Sequence, residues 1–156
     1  RELLLWFNGT YNTYTSFSTR VLGRIGDATP SFATWAAANS ASTAPGADSD
    51  QDGLADLLEF ALDGNPSSAA SRPSPTLNGN AFRFRYPTDR QGIEWQVETS
   101  SDLTHWQTVA ILRGGLLPDE TSGGFTTTLN GGYAEVAPPA TAVTKRFLRL
   151  KVLPTN

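Results

Sequence analysis

The feature that most constrains the fold is a change of period near residue 77. Beyond it, "AFRFRY" sets Phe82, Phe84 and Tyr86 against Arg83 and Arg85, and "IEWQVE" sets Ile93, Trp95 and Val97 against Glu94, Gln96 and Glu98. A period of two sends successive side chains to opposite faces of a strand, so each segment has an apolar face to bury and a charged face for water. Should these two strands pair, their arginines and glutamates meet across the outer face, each pair contributing a few tenths of a kcal/mol. Further strands are expected at "WQTVAIL", "GFTTTL", "YAEVA" and "RFLRLKV", divided by turn signals such as Asn130-Gly131-Gly132 and Pro138-Pro139. About six short strands at this spacing predict a mainly β fold, an antiparallel β-sandwich or small barrel over residues 77–156. Charged residues are only 17% of the chain, against roughly 25% in ordinary soluble domains, and turn-forming residues are abundant. Both disfavour an all-helical fold.

Three segments precede this domain. In residues 1–28, the apolar run "LLLWF" ends on Asn8-Gly9, and "TYNTYTSF" is rich in β-formers, so an N-terminal β-hairpin is expected. Leu3 to Phe7 are apolar on both faces of a strand, which demands cover from this chain or another. Asn8-Gly9-Thr10 also matches a glycosylation sequon, but it suits a hairpin turn better. Residues 29–66 read as helix, loop, helix. Thr29 is placed to cap and Pro30 to open the first helix, with Phe32, Trp35, Ala36 and Asn39 on one side. In the second, Leu54, Leu57, Leu58, Ala61 and Leu62 form a stripe, with Gly64 as a left-handed stop and Pro66 beyond it. The Ser/Ala/Pro-rich residues 67–76 read as a linker and the main boundary.

Between the two helices lies "DSDQDGLADLLE", which holds Asp48, Asp50, Asp52, Asp56 and Glu59. These five acids outweigh the formal net charge of −3 of the whole chain, so the remainder is slightly positive. Crowding them is costly unless a cation or open water relieves the repulsion. Counted from Asp48, carboxylates stand at positions one, three, five, nine and twelve, Gly53 at six and the Leu54 carbonyl at seven. That is the D-x-D-x-D-G-x-x-D-x-x-E pattern of an EF-hand-type calcium loop. Ca²⁺ takes six to eight hard oxygens, alternate residues of a tight turn point inward, and the glycine permits the bend. The expected ligands are therefore Asp48, Asp50, Asp52, Leu54, Asp56 and Glu59, with Glu59 closing the shell through two oxygens. Mg²⁺, which keeps more of its own waters, fits less well.

On these residues the loop resembles the calcium loops of the EF-hand, dockerin and thrombospondin type 3 groups. The longer string "FATWAAA…ADSDQDGLADLLEFALDGNP", followed by "WQVETSSDLTHWQTV" and "RFLRLKV", is similar to a segment recurrent in large exported proteins of Verrucomicrobia and Planctomycetes. The resemblance spans about residues 30–152 and implies an extracellular location and a structural calcium. Ala55 stands where EF-hands carry a larger aliphatic residue that pairs with a second loop, and the chain has no second loop. That argues against cohesin binding and against a calmodulin-like switch.

Other chemistry finds little support. The chain has no cysteine, which removes disulfides and thiolate sites, and with His105 as the sole histidine a zinc site is not expected. No G-x-S-x-G elbow or phosphate loop is present. Glu94, Glu98, Asp102, Glu120 and Glu135 supply carboxylates of the kind glycosidases use, but Glu94 and Glu98 fall on the polar face of a strand. Basic residues are scattered, so nucleic acid is not an expected partner. No apolar run is long enough to span a bilayer, and the absence of methionine with Arg1 at the start suggests a processed chain or a fragment. The expectation is a non-enzymatic, calcium-stabilised extracellular module for structure or attachment, engaging other protein chains through Leu3–Phe7. The alternative is a carbohydrate-binding module of a secreted polysaccharide-degrading enzyme, for which Trp6, Tyr11, Tyr14 and Phe17 would supply a stacking row.

Overall fold

The computed structural model describes residues 30–115, 120–140 and 146–155. The expected N-terminal hairpin, with Leu3–Phe7, lies outside them, as does Thr29. Among the described residues the chain is mainly β. Eight strands, β1 (Thr76–Asn78), β2 (Ala81–Arg85), β3 (Ile93–Ser100), β4 (Gln107–Leu112), β5 (Glu120–Thr121), β6 (Thr126–Asn130), β7 (Tyr133–Ala137) and β8 (Phe147–Pro154), follow two short helices, α1 (Phe32–Ala38) and α2 (Asp56–Leu62). The strands form two antiparallel four-stranded sheets, ordered β1-β2-β7-β6 and β5-β4-β3-β8. This is a sandwich-like pair of sheets, with no closed barrel.

The apolar phase seen in the sequence becomes the core. Phe82, Phe84 and Tyr86 from one sheet and Ile93, Trp95, Val97, Val109 and Leu112 from the other are buried together with Ala134 and Val136. The Tyr86 and Trp95 rings meet edge to face, 4.8 Å between centroids, a geometry worth about 1 kcal/mol beyond the area buried. Asn130 pairs with Tyr133 across a two-residue turn in which Gly131 and Gly132 both have positive φ, the hairpin that the sequence announced. The helices pack into this core. Leu57, Phe60, Ala61 and Leu62 of α2 belong to the same apolar cluster as the strands, and the Phe32 and Trp35 rings of α1 pack against Phe60 in tilted geometry. Residues 67–76 lead from α2 to β1, and the last of them is already in that strand.

Several local expectations are corrected. β2 and β3 do not pair; they lie in different sheets, because alternation fixes faces and leaves the choice of neighbour to the connections. The outward charges find other partners: Arg83 lies 3.5 Å from Glu135, Arg113 donates to Glu94 at 2.7 Å, and Arg149 to Glu98 at 2.6 Å. The cap of α1 is Ser31, whose Oγ accepts from the Thr34 amide, while the Pro30 carbonyl accepts from the Gln91 amide. α2 starts at Asp56, so Leu54 precedes the helix rather than joining its stripe, and Phe60 is the buried aromatic that the stripe omitted. The left-handed residue after α2 is Asp63, at φ 63°, and not Gly64. Aspartate tolerates that conformation, and here Arg85 and Arg90 hold its carboxylate at 3.1 and 3.0 Å. Gly64 is needed for space: a Cβ there would stand 2.9 Å from Glu59 Cβ and 3.1 Å from Glu59 Cα.

Candidate metal centre

Residues 48–54 coil tightly because their aspartates hydrogen-bond the backbone just ahead. Asp48 Oδ2 accepts from the Gly53 amide at 2.8 Å and its Oδ1 from Asp52 at 3.2 Å; Asp52 Oδ1 accepts from Leu54 at 2.7 Å. Gln51 and Gly53 adopt positive φ to make the bend. As a result, carboxylate oxygens of Asp48, Asp50 and Asp52 lie within 4.8 Å of one another, a cluster that can hold a metal ion. Two carboxylate charges at such a separation repel by about 3 kcal/mol at an effective dielectric constant of roughly 20. The loop amides offset part of this, and Arg72 Nε, 3.3 Å from Asp52 Oδ2, offsets more. Buried Oδ2 atoms of Asp50 and Asp52 are still left without a hydrogen bond.

Glu59 brings a fourth carboxylate into electrostatic reach of the loop, outside the group whose oxygens lie within 4.8 Å of one another. It sits one turn into α2, has no exposed surface, and neither of its oxygens has a hydrogen-bond partner. Burial first, then the charges of Asp50, Asp52, Asp56 and Asp48, push its pKa up to about 7. A buried carboxylate normally recovers its lost hydration through hydrogen bonds or a counter-ion. Here no protein donor does so.

No protein-family model, no curated protein and no solved structure matches the chain. The reading of this centre therefore stands on its own residues.

What fixes Glu59 is the anchoring of α2. The free carbonyls at the end of a helix need donors, and β3 and the loop before it supply them: the Trp95 indole donates to Ala61 O at 3.2 Å, and Arg90 Nε to Phe60 O at 3.0 Å. Arg90 also lies over the Phe60 ring and pairs with Asp63. On the far side, Gly64 donates to the Glu59 carbonyl at 2.7 Å. The turn bearing Glu59 is held from the core side, with its carboxylate in electrostatic reach of the loop.

Of the six ligands expected from the sequence, Asp48, Asp50 and Asp52 come together and Glu59 is buried beside them. Asp56 has another task. Its Oδ1 accepts from the Ser49 amide at 2.9 Å, and its Oδ2 from Ser49 Oγ at 2.7 Å and the Ser42 amide at 3.1 Å. With the Asp56 amide on the Ala47 carbonyl, these bonds tie the base of the loop. Leu54 donates its amide to Asp52, and its side chain lies with Leu58 and Leu62 in a surface groove. Sequence reasoning missed Ser42, Ser49, Arg72 and Arg90. Arg72 had a signal, being the single charge in an otherwise neutral linker; the serines had none.

His105 lies in the β3–β4 turn, exposed, with Nδ1 2.7 Å from Asp102 Oδ2. That contact, with the His105 and Thr104 amides, holds the Asp102 carboxyl well below the usual carboxylate range. Ser100 Oγ donates to Asp102, an order in which the imidazole does not activate the serine. Among the described residues no helix is long and apolar enough to cross a membrane.

Proposed function

We propose that the loop binds Ca²⁺ and that the chain is a non-enzymatic, calcium-stabilised module with a structural or attachment role in an exported, extracellular protein. The observation that carries this reading is Glu59: a wholly buried carboxylate with two unpartnered oxygens beside three clustered aspartates. In this reading Asp48, Asp50 and Asp52 each give one oxygen, the Leu54 carbonyl another and Glu59 two, while Asp56 at most holds a metal-bound water, as position nine of such loops often does. All donors are hard oxygens and four are anionic, which favours calcium over zinc by ligand type and over magnesium by number and charge. A single site between a loop and a core helix suits holding better than sensing, since it ties a polar turn to the apolar centre of the molecule. Binding only to the folded state stabilises it by about 2.7 kcal/mol at a free ion concentration 100 times the dissociation constant. The test is thermal melting with calcium, with magnesium and with chelator. Calcium should raise the midpoint by about 5–10 °C, magnesium by clearly less, and chelator should reverse the rise. Equal midpoints in all three overturn the assignment.

A further inference from the structure

A second candidate site, sharing no residue with the acidic loop, lies where the β3–β4 hairpin turns. A cavity of about 320 Å³ is bounded there by the end of β3, the turn, the start of β4 and Arg146, just ahead of β8. That volume is at the small end for ligand pockets and suits a single small ring. Local bonds set its walls. Asp102 Oδ1 accepts from the Thr104 and His105 amides, both at 2.8 Å, and Ser100 Oγ accepts from the Asp102 and Leu103 amides. Leu103, at φ 65°, makes the bend, and its carbonyl accepts from the Trp106 indole at 3.1 Å. Arg149, which donates to Glu98 at 2.6 Å, lies over the same indole, 4.0 Å from its centre. Trp106 is therefore fixed in orientation while only half-buried. Arg149 does not line the cavity, so a ligand there meets indole surface that the guanidinium leaves open.

Two further features point to a ligand. Thr99 lies opposite Gln107 in the β3–β4 register and lines the cavity; it is 8% exposed, yet its Oγ1 has no hydrogen-bond partner. Buried hydroxyls in native proteins are nearly always paired. Arg146, 5.5 Å from the centre of the Phe125 ring, brings a positive charge to the rim, and none of the residues lining the cavity is acidic. We propose that this cavity binds one residue of an acidic polysaccharide, a pyranose bearing a carboxylate. The C–H face of the sugar lies on Trp106, its hydroxyls pair with Thr99 Oγ1 and the Gln107 amide, and its carboxylate takes the Arg146 guanidinium, whose planar fork matches it. An apolar peptide side chain fits less well, because the lining offers hydroxyls, an amide and a guanidinium around one apolar surface.

Titration of the full chain in chelator, followed by amide chemical shifts and calorimetry, tests this with short oligomers of galacturonate, of mannuronate and, as neutral probe, of glucose. At least one uronate should bind about tenfold more tightly than the glucose oligomer, with shifts gathered on residues 99–107. Arg146→Gln, at an exposed position, should remove that preference, and Trp106→Ala should weaken binding by about tenfold or more. Gln107 is also exposed, so Gln107→Ala leaves the packing intact and should still weaken binding severalfold, which keeps the test open if Trp106→Ala fails to fold. Equal affinity for uronate and glucose oligomers would overturn the acidic class. Shifts centred on residues 48–59, no binding by any of the three, or affinities unmoved by Arg146→Gln and Gln107→Ala would overturn the site. Chelator keeps a metal from bridging the sugar to the aspartates, so failure here leaves the calcium assignment standing, and the reverse.

Discussion

Without a cation, Glu59 keeps its proton to a higher pH than an unhindered carboxyl does. Its pKa in the fold is about 7, against 4.5 for the unhindered group. Between those values the folded state holds a proton that the unfolded state has released, so stability falls as pH rises through the window and levels off above it. The shift corresponds to about 3 kcal/mol. Urea titrations in chelator should therefore give lower stability at pH 8 than at pH 5, whereas the gain from added calcium should be larger at pH 8, where no proton competes. Glu59→Gln should reverse sign with conditions, melting above the parent at pH 8 in chelator and below it in calcium; equal behaviour in both would remove Glu59 from the site. Gly64→Ala acts on the same residue by steric means. Its new Cβ meets Glu59 backbone as well as side chain, so a cost of about 1–3 kcal/mol is expected, measurable by denaturant unfolding, together with weaker calcium binding.

At the scale of elements, α2 is a seven-residue helix without a side-chain N-cap, too short to persist on its own. Packing and anchoring sustain it. Arg90 is the main anchor, with 10% of its side chain exposed and bonds to both Phe60 O and Asp63. Arg90→Met should cost about 2–3 kcal/mol, since it leaves the buried Phe60 carbonyl without its charged donor, and should weaken calcium binding by loosening the turn that carries Glu59. Arg85 also pairs with Asp63 but is 43% exposed, so Arg85→Met should cost under about 1 kcal/mol. Denaturant midpoints of the two variants, with calorimetric calcium titrations, check the contrast. These anchors also mark where sequence reading stopped. The stripe in α2 was legible as apolar spacing, but Arg90 sits between two strand patterns, and nothing in its local sequence says that it reaches thirty residues back to a helix end. Likewise the acidic spacing named the loop, while the diversion of Asp56 depended on Ser42, which lies beyond the loop and folds back onto it.

Across the whole molecule, period two in the sequence was enough for the fold class and for six of the eight strands among the described residues, since burial of one face is a local property of each strand. β1 and β5, of three and two residues, are too short to show a period, and Glu98, on the charged phase of β3, is buried. Which strands adjoin was not legible: the charged faces of β2 and β3 are complementary on paper but lie in different sheets. The helical segment also looked like a separate unit, because a Pro-rich stretch follows it, yet Phe60 and Leu57 share one core with Trp95 and Val136. That sharing has a measurable consequence. If α2 were merely appended, removing calcium would melt the helix and loop and leave the sandwich intact, giving two transitions. With a common core, loss of the metal should lower the stability of everything at once. Near-ultraviolet circular dichroism, which reports the packing of buried aromatics such as Trp95, and far-ultraviolet dichroism, which reports the backbone, should give coincident melting curves in calcium and in chelator, displaced together along the temperature axis. Separation of the two curves in chelator alone would mean that the metal holds only the loop and α2, and that the sandwich is stable without it.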